Sequence, residues 1–322
     1  MTLTQLRYLV AIADAGLNIT TAAERVHATQ PGLSKQLKQL EEQLGFLLFS
    51  RRGRALGSVT PAGQQVLERA RIIVAEADNI RAFAANQRRE VQGELTLITT
   101  HTQARFVLPP AVTAVVRRYP EVQVHLQPVG DSDVLDLLAR GDADVAITSS
   151  AGGTPGGGLA VPLFRWKRIV LVPKGHPLAA LKAPTLADLA AHPLLSYESS
   201  VRPESSLRRA FEAQSLSPQL ALTARDADLI KTYVRAGLGV GLLAEMALLP
   251  EDAADLVALP APAAIPDCIA WAVLPRERVL RDYTLDLLQA LAPQLDRRDL
   301  RQALEINAPV EWPQPPWWQR SG

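Results

Sequence analysis

The chain has 322 residues, 48% of them apolar and 21% charged, with a formal net charge of +1. That length implies more than one domain with sizeable cores, and the near-zero charge excludes an overall bias toward nucleic acid or membrane. A single cysteine, Cys268, excludes a disulfide framework or a cysteine zinc site within the chain and fits a reducing compartment.

The N-terminus "MTLTQLRYLV" has no basic stretch leading into a long apolar run, so no secretory signal is predicted. No run of about 18 apolar residues occurs, and the expected location is cytoplasmic, without membrane contact. Leu6, Leu9, Val10 and Ala13 give a first helical stripe, which Gly16 stops. "NITTAAERV" restarts a helix, with capping-box spacing between Thr21 and Glu24. "ATQPGLSKQLKQLEEQLG" is a third helix. Thr29 is its N-cap, Pro31 fits its first turn, and Gly45 suits its C-terminal cap. Leu33, Leu37, Leu40 and Leu44 form its inward stripe, while Gln30, Ser34, Lys35 and Lys38 share the other face. "FLLFSRRGRALGSVT" reads as two short strands joined by a basic turn at Gly53.

Here the charge is uneven. Residues 1–90 hold 12 Lys/Arg against 8 Asp/Glu, and the remainder 22 against 25. Arg25, Lys35, Lys38, Arg51, Arg52 and Arg54 face only Glu41 and Glu42 in their stretch, the footprint of phosphate binding or of a solvated face. A long helix then spans Pro61 to about Gln87. Val66, Ala70, Ile73, Ala77, Ile80 and Ala84 alternate steps of four and three, which predicts a dimer-forming coiled-coil seam in preference to a helix lying on its own domain.

From "QGELTLITT" onward, strand-like runs alternate with helical ones. "LTLIT", "VQVHLQP", "ADVAITS", "RIVLVP", "LLSY" and "IAWAVLP" are separated by "AVTAVVRRYP", "DVLDLLARG", "SSLRRAFEAQ" and "DLIKTYVRAG", an α/β pattern with helices on the sheet faces. Prolines and tryptophans in "EWPQPPWWQRSG" predict no regular structure at the C-terminus, which either docks on the protein or extends from it. Thr100, Thr102 and Gln103 fall where a strand gives way to a helix. Two readings stand there: simple N-capping by a threonine, or an anion site of hydroxyl, amide and free N–H donors.

The stretch from Thr20 to Gly63 resembles the N-terminal motif of LysR-type transcriptional regulators. The matching residues are Ala22, Ala23, Gln30, Pro31, Ser34, Leu40, Glu41, Leu44, Gly45, Leu48, Phe49, Arg51, Thr60, Ala62 and Gly63. "TTHTQAR", "VPLFRW", "HPLA" and "DADLIKTYVRAGLGVG" extend the likeness, over roughly residues 1–295, to the CysB-like branch that regulates sulfur assimilation. The resemblance implies an α/β multidomain chain: an N-terminal winged helix-turn-helix over 1–59, a linker and dimerisation helix over 60–89, and a two-lobed, periplasmic-binding-protein-like effector domain over 90–295. Its first lobe would hold about 93–163 and 267–295, its second about 164–264, with a tail over 296–322.

In that frame Thr29, Gln30, Pro31, Ser34, Lys35 and Lys38 on the recognition helix and Arg51, Arg52 and Arg54 in the wing are the DNA-binding candidates. Thr100, Thr102, Gln103, Ser149, Trp166 and Arg202 are the effector-binding candidates. Ser149 stands where the branch has a threonine and keeps the hydroxyl. Arg202 replaces a threonine and Glu198 an uncharged residue, which admits a bulkier or more charged ligand. The implied partners are double-stranded DNA at a dyad operator near sulfur-metabolism genes, RNA polymerase, and further copies of the chain in a homodimer or homotetramer. The implied effector is a small anion such as sulfate, thiosulfate, acetylserine or adenosine phosphosulfate. No cofactor, metal or catalytic residue is expected. "GLGVG" lacks a following GxGxxG-helix unit, "AGGTPGGG" lacks the lysine of a phosphate loop, and the five histidines have no metal-ligand spacing.

Overall fold

The computed structural model describes the chain except residues 54, 277, 306–309 and 320–322 and the side chain of Glu305. The chain divides into two compact units, residues 1–89 with 278–281, and residues 90–277 with 282–322.

The first unit contains α1 (Leu3–Asp14), α2 (Ile19–Arg25), α3 (Gln30–Leu44), the hairpin β1 (Phe49–Arg52) and β2 (Ala55–Val59), and α4 (Pro61–Gln87). Leu6, Leu9, Ile12, Leu33, Leu37, Leu40, Leu48 and Phe49 form its core, which Leu67 and Ala70 of α4 complete. Thr29 caps α3 by accepting the Gly32 N–H, and Gly45 ends it at φ +81°, as expected from the local residues. The start of α2 differs from the capping-box reading. Asn18 accepts the Thr20 and Thr21 N–H groups, so the helix begins before Thr21, because an Asn side chain one residue ahead of the first turn satisfies the orphan donors itself. Thr60 caps α4, accepting from Gly63 N at 2.9 Å. A Cβ at Gly63 would lie 2.0 Å from the Leu48 carbonyl oxygen. Gly63→Ala is therefore expected to push α4 off the hairpin and cost about 1–3 kcal/mol, read as a lowered urea midpoint. An unchanged midpoint would show that the hairpin yields without cost.

In the second unit the order is β3 (Gln92–Thr100), α5 (His101–Phe106), α6 (Leu108–Arg118), β4 (Glu121–Val129), α7 (Val134–Ala139), β5 (Val145–Ser150), β6 (Leu159–Trp166) and β7 (Arg168–Pro173). Next come α8 (Leu186–Ala190), β8 (Leu194–Tyr197), α9 (Ser206–Glu212), β9 (Leu220–Ala224), α10 (Ala227–Arg235), β10 (Val240–Ala244) and β11 (Leu256–Pro260). The unit ends with β12 (Cys268–Leu274), α11 (Asp282–Leu291) and α12 (Arg297–Glu305). Two five-stranded sheets result, ordered β4-β3-β5-β12-β6 and β11-β7-β10-β8-β9. In the second sheet Val170, Val172, Val240 and Leu242 face Leu186, Leu189, Leu207 and Phe211. Their neighbours Leu171 and Leu243 face Ile230 and Val234 of α10. This two-residue alternation buries both faces, as helix-covered sheets require.

The chain steps from the first sheet to the second at Lys167 and returns between β11 and β12. The step lies later than the boundary expected after Leu163. Phe164, Arg165 and Trp166 remain in β6 because they pair with Ala270, Ile269 and Cys268 of β12. Strands β6, β10 and β11 were not among the sequence-read strands. Pro162 interrupts the donor row of β6, tolerated because β6 has only one neighbouring strand in its sheet. The glycines of "GLGVG" obscured β10. Upstream of the stretch expected to be irregular, Leu300, Ala303 and Leu304 bury one face of α12. Among the described residues, no helix is long and apolar enough to cross a membrane.

Candidate functional site: a basic helix face and an interlobe cavity

On the first unit, α3 buries Leu33, Leu37 and Leu40 and turns its polar residues outward. Thr29, Gln30, Pro31, Lys35 and Lys38 are exposed and Ser34 is half-buried. Two of these side chains are tethered along the helix: Gln30 Nε2 donates to Ser34 Oγ at 3.2 Å, and Lys38 Nζ lies 3.6 Å from Glu42. Both tethers are surface contacts that a phosphate or base edge can displace at little cost. Arg51 and Arg52 sit on β1, but they are not equivalent. Glu41, buried under the hairpin, accepts from Leu48 N, Phe49 N and Arg51 Nη2, the last at 2.9 Å. Both arginines are exposed, but Arg51 is tied to Glu41 at the joint between α3 and the wing. Arg54 lies outside the described residues.

On the second unit, a cavity of about 120 Å³ opens between the two sheets, several times the roughly 10–15 Å³ that one ordered water needs. Its position follows from topology. Parallel strands end together, and ligands in open α/β sheets sit beyond their carboxyl ends. The last residues of β3, β4, β8, β9 and β10 (Thr100, Val129, Tyr197, Ala224 and Ala244) all line it, with Ser149 near the end of β5.

All six effector candidates, Thr100, Thr102, Gln103, Ser149, Trp166 and Arg202, line this one cavity. Ser149 is the hub. Its Oγ accepts from Gln103 Nε2 at 3.0 Å and from Trp166 Nε1 at 3.1 Å. With both lone pairs engaged, its O–H is left to donate. Gln103 is buried, and its Oε1 has no partner. Turning that amide over would let Ser149 donate to Oε1 and free Nε2 instead. In either arrangement the pair keeps at least one N–H or O–H to donate to an anion. Thr102 donates to the Tyr197 hydroxyl at 3.3 Å, which also accepts from Ala244 N at 3.2 Å. Burial pushes the Tyr197 phenol up, so it stays a neutral donor. Thr100 accepts from Gln103 N at 3.5 Å as the cap of α5. That helix has only six residues, so its dipole is small and side-chain donors carry the site.

Charge enters through Arg202 and Glu198, which the sequence singled out, and through Arg168, Arg225 and Asp131, which it did not. Arg168, Arg202 and Arg225 line the cavity with Asp131 and Glu198. Arg202 reaches Asp131 at 3.8 Å, and Arg225 reaches Glu198 at 2.8 Å. Arg168 is held by the Pro266 carbonyl at 3.1 Å and Ser206 Oγ at 3.0 Å. Burial pushes the Asp131 carboxyl up, against the pull of Arg202 and the Thr148 hydroxyl. Burial likewise raises the Cys268 thiol, keeping it protonated and unreactive. Among the described residues lining the cavity there is no histidine, so no Ser–His or Cys–His pair is assembled there.

One short helix joins the lobes. α5 follows β3 of the first sheet, yet Phe106 packs into the second lobe's core and Arg105 ion-pairs with Asp228 of α10. A group bound at Thr102 and Gln103 therefore touches the element that links both halves.

Comparison with known proteins matches two stretches of the chain. Residues 3–64 match the family described as "Bacterial regulatory helix-turn-helix protein, lysR family", and residues 88–296 match "LysR substrate binding domain". The chain is 37% identical over 307 residues to the HTH-type transcriptional regulator CysB of Haemophilus influenzae, covering 95% of each chain. It is 35% identical to the HTH-type transcriptional regulator cbl of Klebsiella aerogenes, covering 95% of this chain and 97% of the relative. The crystal structure of the cofactor-binding domain of the Cbl transcriptional regulator is similar to the second unit. It is 32% identical with a TM-score of 0.61, over 67% of this chain and 95% of that one.

Proposed function

The chain belongs to the LysR family of bacterial transcriptional regulators, and from that premise we propose that it controls sulfur-acquisition genes in response to a small anion related to sulfur metabolism. It is a DNA-binding regulator with an effector domain, not an enzyme. The observation that carries the effector reading is the Gln103–Ser149–Trp166 cluster, a preformed set of neutral donors in a cavity that also receives three guanidiniums. Neutral donors suit reversible capture of a hydrated anion, and the arginines widen the range to thiosulfate, acetylserine or adenosine phosphosulfate. Residues 1–59, 60–89, 90–295 and 296–322 serve as DNA-binding head, linker, effector domain and tail. Ile72, Ile73, Ile80 and Phe83 stand exposed on α4, an apolar stripe suited to a second copy, so the working unit is a dimer or a dimer of dimers in the cytoplasm. Paired recognition helices would read a dyad operator, and RNA polymerase is the downstream partner in activation.

Effector binding acts by favouring one lobe arrangement over another, which requires different affinity for the two. Calorimetry with sulfate, thiosulfate, acetylserine and adenosine phosphosulfate, paired with a gel shift on DNA upstream of sulfur-acquisition genes, tests the reading. Binding by none of the four and no operator shift would end it.

Two variants probe its parts. Lys35→Ala is expected to weaken operator binding and reduce the slope of log affinity against log salt by about 0.9, the signature of one lost phosphate contact. An unchanged slope would remove Lys35 from the phosphate set. Asp131→Asn deletes a carboxylate from the cavity wall and frees Arg202. Because burial raises the folded pKa of Asp131 above its ordinary value, the ionised group opposes folding at neutral pH. The variant should therefore be no less stable there. It should bind sulfate several-fold more tightly. In the wild type, sulfate affinity should rise as pH falls through that raised value, and the variant should lose this component. A variant with unaltered affinity and pH profile would place Asp131 outside the ligand's field.

A further inference from the structure

Residues 310–319 lie beyond the helices of the effector domain and have no part in the site described above. They nevertheless meet the chain at the step between the two sheets. Edge strand β6 has β12 on one side only. On its open side Arg165 N donates to the Pro316 carbonyl at 2.7 Å, and Trp318 N donates to the Arg165 carbonyl at 2.7 Å, a parallel bridge centred on Trp317. Arg165 Nη2 also donates to Gln314 Oε1 at 3.2 Å. The Trp317 ring takes the Lys167 ammonium at 4.7 Å and the Arg165 guanidinium at 6.0 Å from its centre. Cation–π contacts of this kind hold two side chains with one ring. Pro313, Pro315 and Pro316 have no N–H to offer, so the segment covers the open edge without extending the sheet toward another chain.

The two residues gripped in this way flank Trp166, whose indole N–H is on Ser149 in the cavity. Lys167 is the one residue between β6 and β7. On its other side Glu245 fixes it: Lys167 N donates to Glu245 Oε1 at 2.8 Å, and Glu245 N donates to the Lys167 carbonyl at 3.0 Å. A change of lobe angle at this step must bend the chain at Lys167, so it must either carry Trp317 along or break its contacts.

We propose that Trp317 is a positioning residue of the cavity: the tail clamps Arg165 and Lys167 and thereby sets where Trp166 presents its indole to Ser149. The consequence for a ligand rests on the effector reading above, whereas the clamp itself does not. The test uses the full chain labelled with 5-fluorotryptophan and read by fluorine NMR, with the Trp166 signal assigned by its loss in Trp166→Phe. Without any ligand, Trp317→Ala and a chain ended after residue 309 should both displace or broaden the Trp166 signal. Trp317→Phe, which keeps an aromatic face, should leave it near its wild-type position. Amide exchange at Arg165 should quicken roughly tenfold or more in the shortened chain. With sulfate as probe, Trp317→Ala should bind several-fold more weakly and Trp317→Phe should recover most of the loss. An unmoved Trp166 signal in both Trp317→Ala and the shortened chain overturns the clamp. A moved signal with wild-type sulfate affinity overturns its service to the cavity. Failure of the wild type to bind sulfate counts against sulfate as effector and leaves the fluorine signal to decide the clamp.

Discussion

Asp252→Ala is expected to lower the stability of the effector domain by about 3–5 kcal/mol, because it breaks a buried ion pair by removing one partner. Lys231 Nζ sits 2.9 Å from Asp252 Oδ2, with only 3% of either side chain exposed. The same carboxylate accepts from Leu249 N at 2.8 Å and Arg235 Nη2 at 2.6 Å. Without it, Lys231 keeps the Ala247 carbonyl and Asp228 but loses its only fully desolvated counter-charge among the described residues. In a domain of this size the loss corresponds to a Tm drop of about 6–20 °C. The pH dependence has a definite sign. Burial pushes the Asp252 carboxyl up, but the Leu249 N–H, Arg235 and Lys231 outweigh it and hold the group below its ordinary range. A depressed carboxylate contributes fully above its unfolded pKa of about 3.9 and loses that contribution as pH falls through the folded value. The Tm gap between wild type and variant should be flat from neutral pH to about pH 5 and close below about pH 4. A gap of a degree or two at pH 7 would show that water or Asp228 replaces the lost partner. The network also bears on switching, since the Lys231 ammonium lies 5.6 Å from the centre of the Phe106 ring, the side chain α5 sends into the second lobe.

Local signals were the readable ones. Thr29, Pro31 and Gly45 bound α3 correctly because caps and first-turn prolines act within four residues of chain. The six effector candidates converge on one cavity, and their resemblance to a known arrangement carried that expectation. What the sequence could not display was pairing at a distance. Arg51 reads as a phosphate ligand in a basic run, yet its partner Glu41 is ten residues away and reaches it only after the hairpin folds over α3. Arg202 reads as a free cation, and its carboxylate, Asp131, is on the other lobe. Arg168, Tyr197 and Arg225 were missed for the same reason, although one rule would have found Tyr197 and Arg225. Each is the last residue of a parallel strand, or the next one, and those positions meet at the sheet switch. For the Pro/Trp-rich terminus the sequence left docking and a free extension both open, since a stretch without periodicity does not show which residue docks or where, and Trp317 docks on Arg165 and Lys167.

Ser149→Ala is the sharpest test of the cavity. The hydroxyl accepts two N–H donors and has one proton left, so its removal deletes one donor to a bound anion and unseats the Gln103 amide and Trp166 indole together. A hydrogen bond to a charged group contributes about 1.5–3 kcal/mol, which predicts roughly a tenfold to hundredfold weaker affinity for whichever probe binds the wild type. Stability should fall far less, because the cavity is roomy enough for water to satisfy both orphaned donors in the ligand-free protein. Ser149→Thr separates chemistry from shape. It keeps the hydroxyl and adds one methyl, so affinity should return to within a few-fold of wild type. Calorimetry on the three proteins at constant pH reads both effects. If Ser149→Ala binds as tightly as wild type, the Gln103–Ser149–Trp166 cluster is a structural tie between β5, β6 and α5, and the anion must be held by the arginines alone.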